Sequence, residues 1–71
     1  MDRQEKIRRI NEWFNSHRCK YFTGSEIGCS YIQAFGSIDG TGYRMLKTDG
    51  TSVSIYEAPD NVLDAVISKM N

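Results

Sequence analysis

Residues 30–57 read SYIQAFGSIDGTGYRMLKTDGTSVSIYE, and two Asp-Gly pairs, Asp39-Gly40 and Asp49-Gly50, divide this stretch into three alternating apolar runs. An Asp-Gly pair between alternating apolar residues is a strong short-range signal for a β-hairpin. Two such pairs in succession predict a meander of three antiparallel strands.

The second hairpin can close in two ways, and the choice decides which side chains share a face. Asp49-Gly50 can form a two-residue turn, or Thr48-Asp49-Gly50 can form a three-residue turn with a bulge. A one-residue slip moves every side chain to the opposite face. The three-residue turn separates apolar from polar positions better, so we prefer it. It places four apolar residues on one face: Tyr43, Met45, Val53 and Ile55.

For the first hairpin we expect a two-residue turn at Asp39-Gly40. This turn adds Ile32 and Ala34 to the face that holds Met45. The opposite, outer face of the predicted sheet then carries a mixed aromatic, aliphatic and basic set, whose main members are Tyr31, Phe35, Arg44, Leu46 and Tyr56.

Helical periodicity flanks the strands. Residues 2–16 place Ile7, Ile10 and Phe14 on one stripe of a helix, and a second apolar stripe follows Ala58 to the C-terminus. Residues 17–29 are less regular and suggest a loop with a short extended segment. The predicted fold class is α+β with the order α-β-β-β-α, in which a three-stranded antiparallel meander carries two helices on one face. Residues 1–71 are expected to form a single small globular domain.

Composition narrows the function classes. Nine basic and nine acidic residues give zero formal net charge, with +3 in residues 1–20 and −3 in the remainder. A domain-wide basic footprint, which is typical of nucleic-acid binders, is missing. The chain has no secretion-signal pattern and no apolar run near the roughly 20 residues that span a bilayer. We therefore expect a cytoplasmic protein without a membrane partner, in which Cys19 and Cys29 are free thiols.

Signals for catalysis or cofactor binding are weak. His17, Cys19 and Cys29 lack the second close pair that a zinc tetrad needs. The glycines are not followed by the helix of a phosphate-binding loop, and turn chemistry accounts for Asp39 and Asp49. We predict no catalytic residues, no metal site and no cofactor, and hence no enzyme.

The outer face of the predicted sheet is the leading candidate for a binding surface. Two helices cover only one face of a three-stranded sheet, and Tyr and Arg are enriched where proteins meet partners. Three occupants remain open: the 17–29 loop, a second copy in a homodimer, or a foreign protein. The leading interpretation is a small non-catalytic binding protein that modulates or inhibits a macromolecule, with a protein as the first choice of partner. Size class suggests a phage or mobile-element accessory factor by analogy alone.

The alternative is nucleic-acid binding through the basic N-terminal segment, with Arg8, Arg9, Arg18 and Lys20 as contacts. The element order resembles that of double-stranded-RNA-binding domains, although the start of the last helix, residues 58–61, is acidic here. Residues 22–46, FTGSEIGCSYIQAFGSIDGTGYRML, resemble a winged-helix pattern, with GTGYRML as the wing and residues 30–35 as the recognition segment. Pairs such as Arg8 with Glu12 would instead make the helix surface self-neutralising.

Overall fold

A computed structural model describes residues 1–70 and consists of two α-helices, a four-stranded antiparallel sheet and one short 3-10 helix. The elements are α1 (Arg3–Ser16), β1 (Tyr21–Thr23), β2 (Ile32–Gly36), β3 (Arg44–Lys47), β4 (Ser52–Val53), the 3-10 helix (Ile55–Glu57) and α2 (Asp60–Lys69). The α+β class is confirmed, as are both helices and the antiparallel pairing. The predicted three strands are incomplete, because β1 adds a fourth at the edge next to β2.

β1 depends on a close backbone approach at Gly24. The Gly24 N–H donates to the Gln33 carbonyl at 3.1 Å, which extends the pairing one residue beyond Thr23. A Cβ atom at Gly24 would lie 1.6 Å from the Ile32 carbonyl oxygen, so only glycine fits there. β1 has only three residues and is followed directly by Gly24. Its run of alternating side chains is therefore too short to identify it as a strand from the sequence.

The hairpin between β3 and β4 confirms the three-residue turn. Met45 pairs with Val53, and the Lys47 N–H donates to the Thr51 carbonyl at 2.9 Å. Gly50 has φ +86°, the left-handed conformation that this turn requires.

The connection between β2 and β3 is longer than predicted. The two-residue turn at Asp39-Gly40 is wrong, because residues 37–43 form an irregular loop. Within it Asp39 Oδ1 accepts hydrogen bonds from the Thr41 N–H at 3.0 Å and from the Thr41 hydroxyl at 2.6 Å. Asp39 thus organises a local turn rather than closing a tight hairpin.

An irregularity in β2 decides which side chains reach the core. Ala34 pairs with Leu46 and Phe35 with Met45, but Ile32 pairs with Lys47, so the register shifts between Ile32 and Ala34. The extra residue lets Ile32 and Phe35 face the same side, although they are three positions apart. The side chains that face the core lie in one row across the sheet: Phe22, Phe35, Met45 and Val53.

Both helices cover this row. Phe14 of α1 and Val66 of α2 belong to the same hydrophobic core as Phe35. Lys6 pairs with Asp64 at 2.7 Å and Arg3 with Asp60 at 2.6 Å. The later residue of α1, Lys6, pairs with the later residue of α2, Asp64, so α1 and α2 run parallel. Within residues 1–70, no helix covers the opposite face of the sheet.

Candidate partner-binding surface

One of the five predicted contact residues is not on the surface. Phe35 has an exposed fraction of 0% and packs in the core, with its ring centroid 6.1 Å from that of Phe14. Its predicted place on the outer face is wrong. The register shift in β2 inverts the alternation that the sequence pattern suggested, and such a shift cannot be read from alternation alone.

Two further predicted residues are exposed but lie elsewhere. Tyr56 sits in the 3-10 helix beside α1, where it lines a cavity of about 400 Å³ with Ile7 and Arg8. Tyr31 precedes β2, and its carbonyl accepts a hydrogen bond from the Thr48 N–H at 3.1 Å. Partial burial, together with the nearby Cys29 thiol, raises the pKa of the Tyr31 phenol. The predicted set is therefore not one surface.

The observed register defines a different set of residues on the side of the sheet away from the helices. We call it the outer sheet surface, and it consists of Tyr21, Thr23, Ala34, Arg44, Leu46 and Ser52. Ala34 and Leu46 face each other across β2 and β3; Ala34 is buried, Leu46 is half-buried, and both lie outside the cluster of core residues under the helices. Tyr21 is 48% exposed. Arg44 and Leu46 were identified from sequence, whereas Tyr21 was missed because β1 was not recognised.

A short polar network fixes Arg44 at one end of this surface. Arg44 Nη2 donates to Asp39 Oδ2 at 2.7 Å. The hydrogen bonds from Thr41, with Arg44 adding to them, lower the pKa of the Asp39 carboxyl from 3.8 to about 2. Asp39 is therefore ionised at neutral pH and neutralises the guanidinium beside it. Arg44 Nε is buried and has no hydrogen-bond partner within residues 1–70.

The two edges of the sheet are closed to strand addition over most of their length. In β1 the outward backbone groups of Thr23 are occupied, because its carbonyl accepts from the Glu26 N–H at 3.1 Å and its N–H donates to Glu26 Oε1 at 3.4 Å. In β4 the Ser54 carbonyl accepts from the Glu57 N–H at 3.0 Å. On each edge strand, one residue then still points its backbone N–H and C=O away from the sheet: Tyr21 on β1 and Ser52 on β4. One residue is too few to pair with an added strand.

The alternative basic contacts do not converge. Arg8 is paired with Glu5 and, at 2.6 Å, with Glu12, so its charge is neutralised as the helical spacing suggested. Arg9 lines a separate cavity with Met70, between the two helices. The remaining two, Arg18 and Lys20, follow the end of α1. These four cations do not form a continuous basic surface.

The chain matches no family model, no curated protein and no solved structure. The proposals below therefore depend on its own geometry. Residues 1–70 contain no group of three or more His, Cys, Asp or Glu side chains that could hold a metal ion. Within the same residues, no helix has both the length and the apolar character that crossing a membrane requires.

The recognition segment proposed by the winged-helix resemblance is not helical. Residues 32–36 form β2 instead. The start of α2 is acidic, and Asp60 there is occupied by Arg3. The winged-helix interpretation is therefore wrong, and the resemblance to double-stranded-RNA-binding domains is limited to the order of helices and antiparallel strands.

Proposed function

We propose that this chain is a small, non-catalytic cytoplasmic binding protein that attaches to a protein partner through the outer sheet surface and modulates that partner. The observation that carries the proposal is the Ala34–Leu46 pair. Leu46 lies on the side of the sheet away from the core, with Arg44 two residues before it on β3, and Tyr21 lies on β1 in the same row as Arg44. An aliphatic centre beside a tyrosine and an arginine is the composition that protein interfaces favour.

Charge favours a protein over a nucleic acid as the partner. Arg44 is the one cation among the six residues of the outer sheet surface, and Asp39 neutralises it. Binding to a phosphate backbone requires several uncompensated cations on one surface. The closed edges of the sheet also make side-chain contacts across the face the favoured mode, rather than addition of a strand.

The test is affinity capture from the native cell with three forms of the protein. The wild type is compared with the double variant Tyr21→Ser and Leu46→Ser, and with a control in which Tyr31 and Tyr56 are both replaced by serine. Each variant loses two apolar side chains, but only the first pair belongs to the outer sheet surface. We expect the partner identified by mass spectrometry to be lost with the first variant and retained with the control. Retention with both would contradict the proposal.

Nucleic-acid binding is the second candidate, favoured by Arg18 and Lys20, which form no ion pair within residues 1–70. A titration with duplex and single-stranded DNA and RNA at two salt concentrations separates the two functions. Tight binding that weakens steeply with salt would support the second candidate. Absence of binding at about 50 mM salt would eliminate it, because phosphate contacts are strongest at low ionic strength.

A second copy of the chain is the remaining partner for the outer sheet surface. Native mass spectrometry of the purified protein measures this directly. A dimer that dissociates in the Tyr21→Ser and Leu46→Ser variant would identify the surface as a homodimer contact and would replace the foreign partner in the proposal.

A further inference from the structure

A small cavity of about 100 Å³ lies between the end of α1 and the 37–43 loop. Asn15 and Arg18 line it from the helix side, and Ser37, Thr41 and the backbone of the loop line it from the other side. It is separate from the outer sheet surface, so its function does not depend on the proposal above.

One hydroxyl that lines this cavity has no hydrogen-bond partner within residues 1–70. Ser37 is 4% exposed and is the one polar residue among the fully buried ones in the described part of the chain. Within residues 1–70 its hydroxyl forms no hydrogen bond, and it is not among the side-chain atoms that are sealed from solvent without a partner, so it is reached from the cavity that Ser37 lines. A hydroxyl that faces a cavity and has no protein partner is available to water, an ion or a ligand.

The cavity also has a free positive charge. Arg18 forms no ion pair with a carboxylate of residues 1–70. The acidic residue of the adjoining loop, Asp39, is occupied by Thr41 and by Arg44. The guanidinium of Arg18 is therefore available to an anion, and the nearest loop carboxylate is already neutralised.

Close packing fixes the two walls relative to each other. Cys19, directly after Arg18, adopts φ +62°, which is uncommon for a residue with a side chain. Its Sγ atom occupies the space beside Gly40, where an added Cβ would lie 2.9 Å from it. The turn that carries Arg18 and the loop that carries Ser37 are thus in direct contact, which is how a preformed site is built.

We propose that this cavity binds a phosphate group, either free or as the head of a phosphate monoester. The Arg18 guanidinium supplies two parallel donors of the geometry that phosphate oxygens accept. The Ser37 hydroxyl on the loop side and the Asn15 amide on the α1 side of the cavity supply neutral hydrogen-bond donors. A water occupies about 30 Å³ in the liquid, so the cavity holds about three waters or one tetrahedral oxyanion. Any substituent of a monoester must extend into solvent.

The test is a titration followed by the backbone amide signals of the loop in ¹⁵N-labelled protein. Inorganic phosphate and O-phosphoserine are added in separate experiments at constant ionic strength. We expect saturable shifts at Ser37, Gly40 and Gly42. Removal of one charge-assisted contact weakens binding roughly tenfold, so Arg18→Gln and Ser37→Ala should each have this effect. Arg9→Gln removes the same charge from α1, outside the cavity, and should leave binding unchanged.

The two ligands distinguish the source of the phosphate. Tighter binding of O-phosphoserine supports the monoester, and tighter binding of inorganic phosphate supports the free ion. Three results would overturn the proposal: shifts that do not saturate, an equal loss in Arg9→Gln, or unchanged binding in a folded Ser37→Ala variant. Each would mean that the cavity holds water and that any anion is attracted only by general surface charge.

Discussion

Phe35 lies directly opposite Met45 across β2 and β3, and both side chains are buried under the helices. The pairing follows from the register shift between Ile32 and Ala34. From Ala34 to the 37–43 loop, each β2 side chain lies on the face opposite to the one that simple alternation from Ile32 predicts. The same shift turns Ala34 away from the core, opposite Leu46. One irregularity in one strand therefore determines which residues are available to a partner.

The first prediction concerns the stability contribution of Phe35. Phe35→Ala should lower the free energy of unfolding by about 3–5 kcal/mol, because it removes a fully buried ring from the core. Tyr56→Ala, at a residue that is 64% exposed, should change it by no more than about 0.5 kcal/mol. Urea unfolding followed by circular dichroism measures both. Equal effects would mean that Phe35 faces solvent and that the register is wrong.

The contrast between the two hairpins shows what sequence can specify. Gly50 and the alternation around Met45 and Val53 were sufficient to predict the β3–β4 register, since the turn chemistry and the apolar pattern agree. In β2 the alternation is interrupted by an extra residue with no distinctive type, so Phe35 was assigned to the wrong face. The cavity beside Ser37 is lined by the end of α1 and by the 37–43 loop, which are far apart in the sequence. No local sequence pattern predicts a contact between them.

The second prediction compares two glycines with different requirements. Gly24→Ala places a Cβ against the Ile32 carbonyl oxygen and should abolish cooperative folding or lower the melting temperature severely. Gly50→Ala meets no atom within 4 Å and carries only the conformational cost of φ +86°, about 1–2 kcal/mol. Gly50→Asn should recover part of this loss, since Asn tolerates the left-handed region better. Thermal unfolding of the three variants tests the ranking, and a milder effect at Gly24 than at Gly50 would contradict the position of β1.

The third prediction concerns Arg3, which connects α1 to the segment before α2. Its guanidinium donates to the Tyr56 carbonyl at 2.8 Å and the Ala58 carbonyl at 2.5 Å, besides pairing with Asp60. Arg3→Ala should cost about 2 kcal/mol, because it leaves two carbonyls without this donor. Asp60→Asn removes only an exposed ion pair and should cost less than about 1 kcal/mol. Chemical denaturation of both variants provides the comparison, and equal losses would show that the carbonyl contacts contribute nothing.

The fourth prediction concerns acid stability through Asp39. Its folded-state pKa of about 2 lies below the usual 3.8, so its ionised form stabilises the fold at pH values above 3.8. That contribution is lost as the pH falls through about 2. The stability difference between the wild type and Asp39→Asn should thus be constant near neutral pH and shrink between about pH 4 and pH 2. A carboxyl ¹³C titration measures the pKa itself, and Thr41→Val should raise it. A value unaffected by Thr41→Val would exclude the hydroxyl as the main cause.

Site-specific photo-crosslinking in the native cell tests the central claim most directly. A photoreactive phenylalanine analogue is placed at Tyr21, at Leu46 or, as an exposed control, at Tyr56. The outer sheet surface predicts adducts of one discrete mass with a foreign protein at Tyr21 and Leu46, and none of that mass at Tyr56. Adducts at Tyr56 without adducts at Tyr21 and Leu46 would contradict the account and place the partner on the helical side of the molecule.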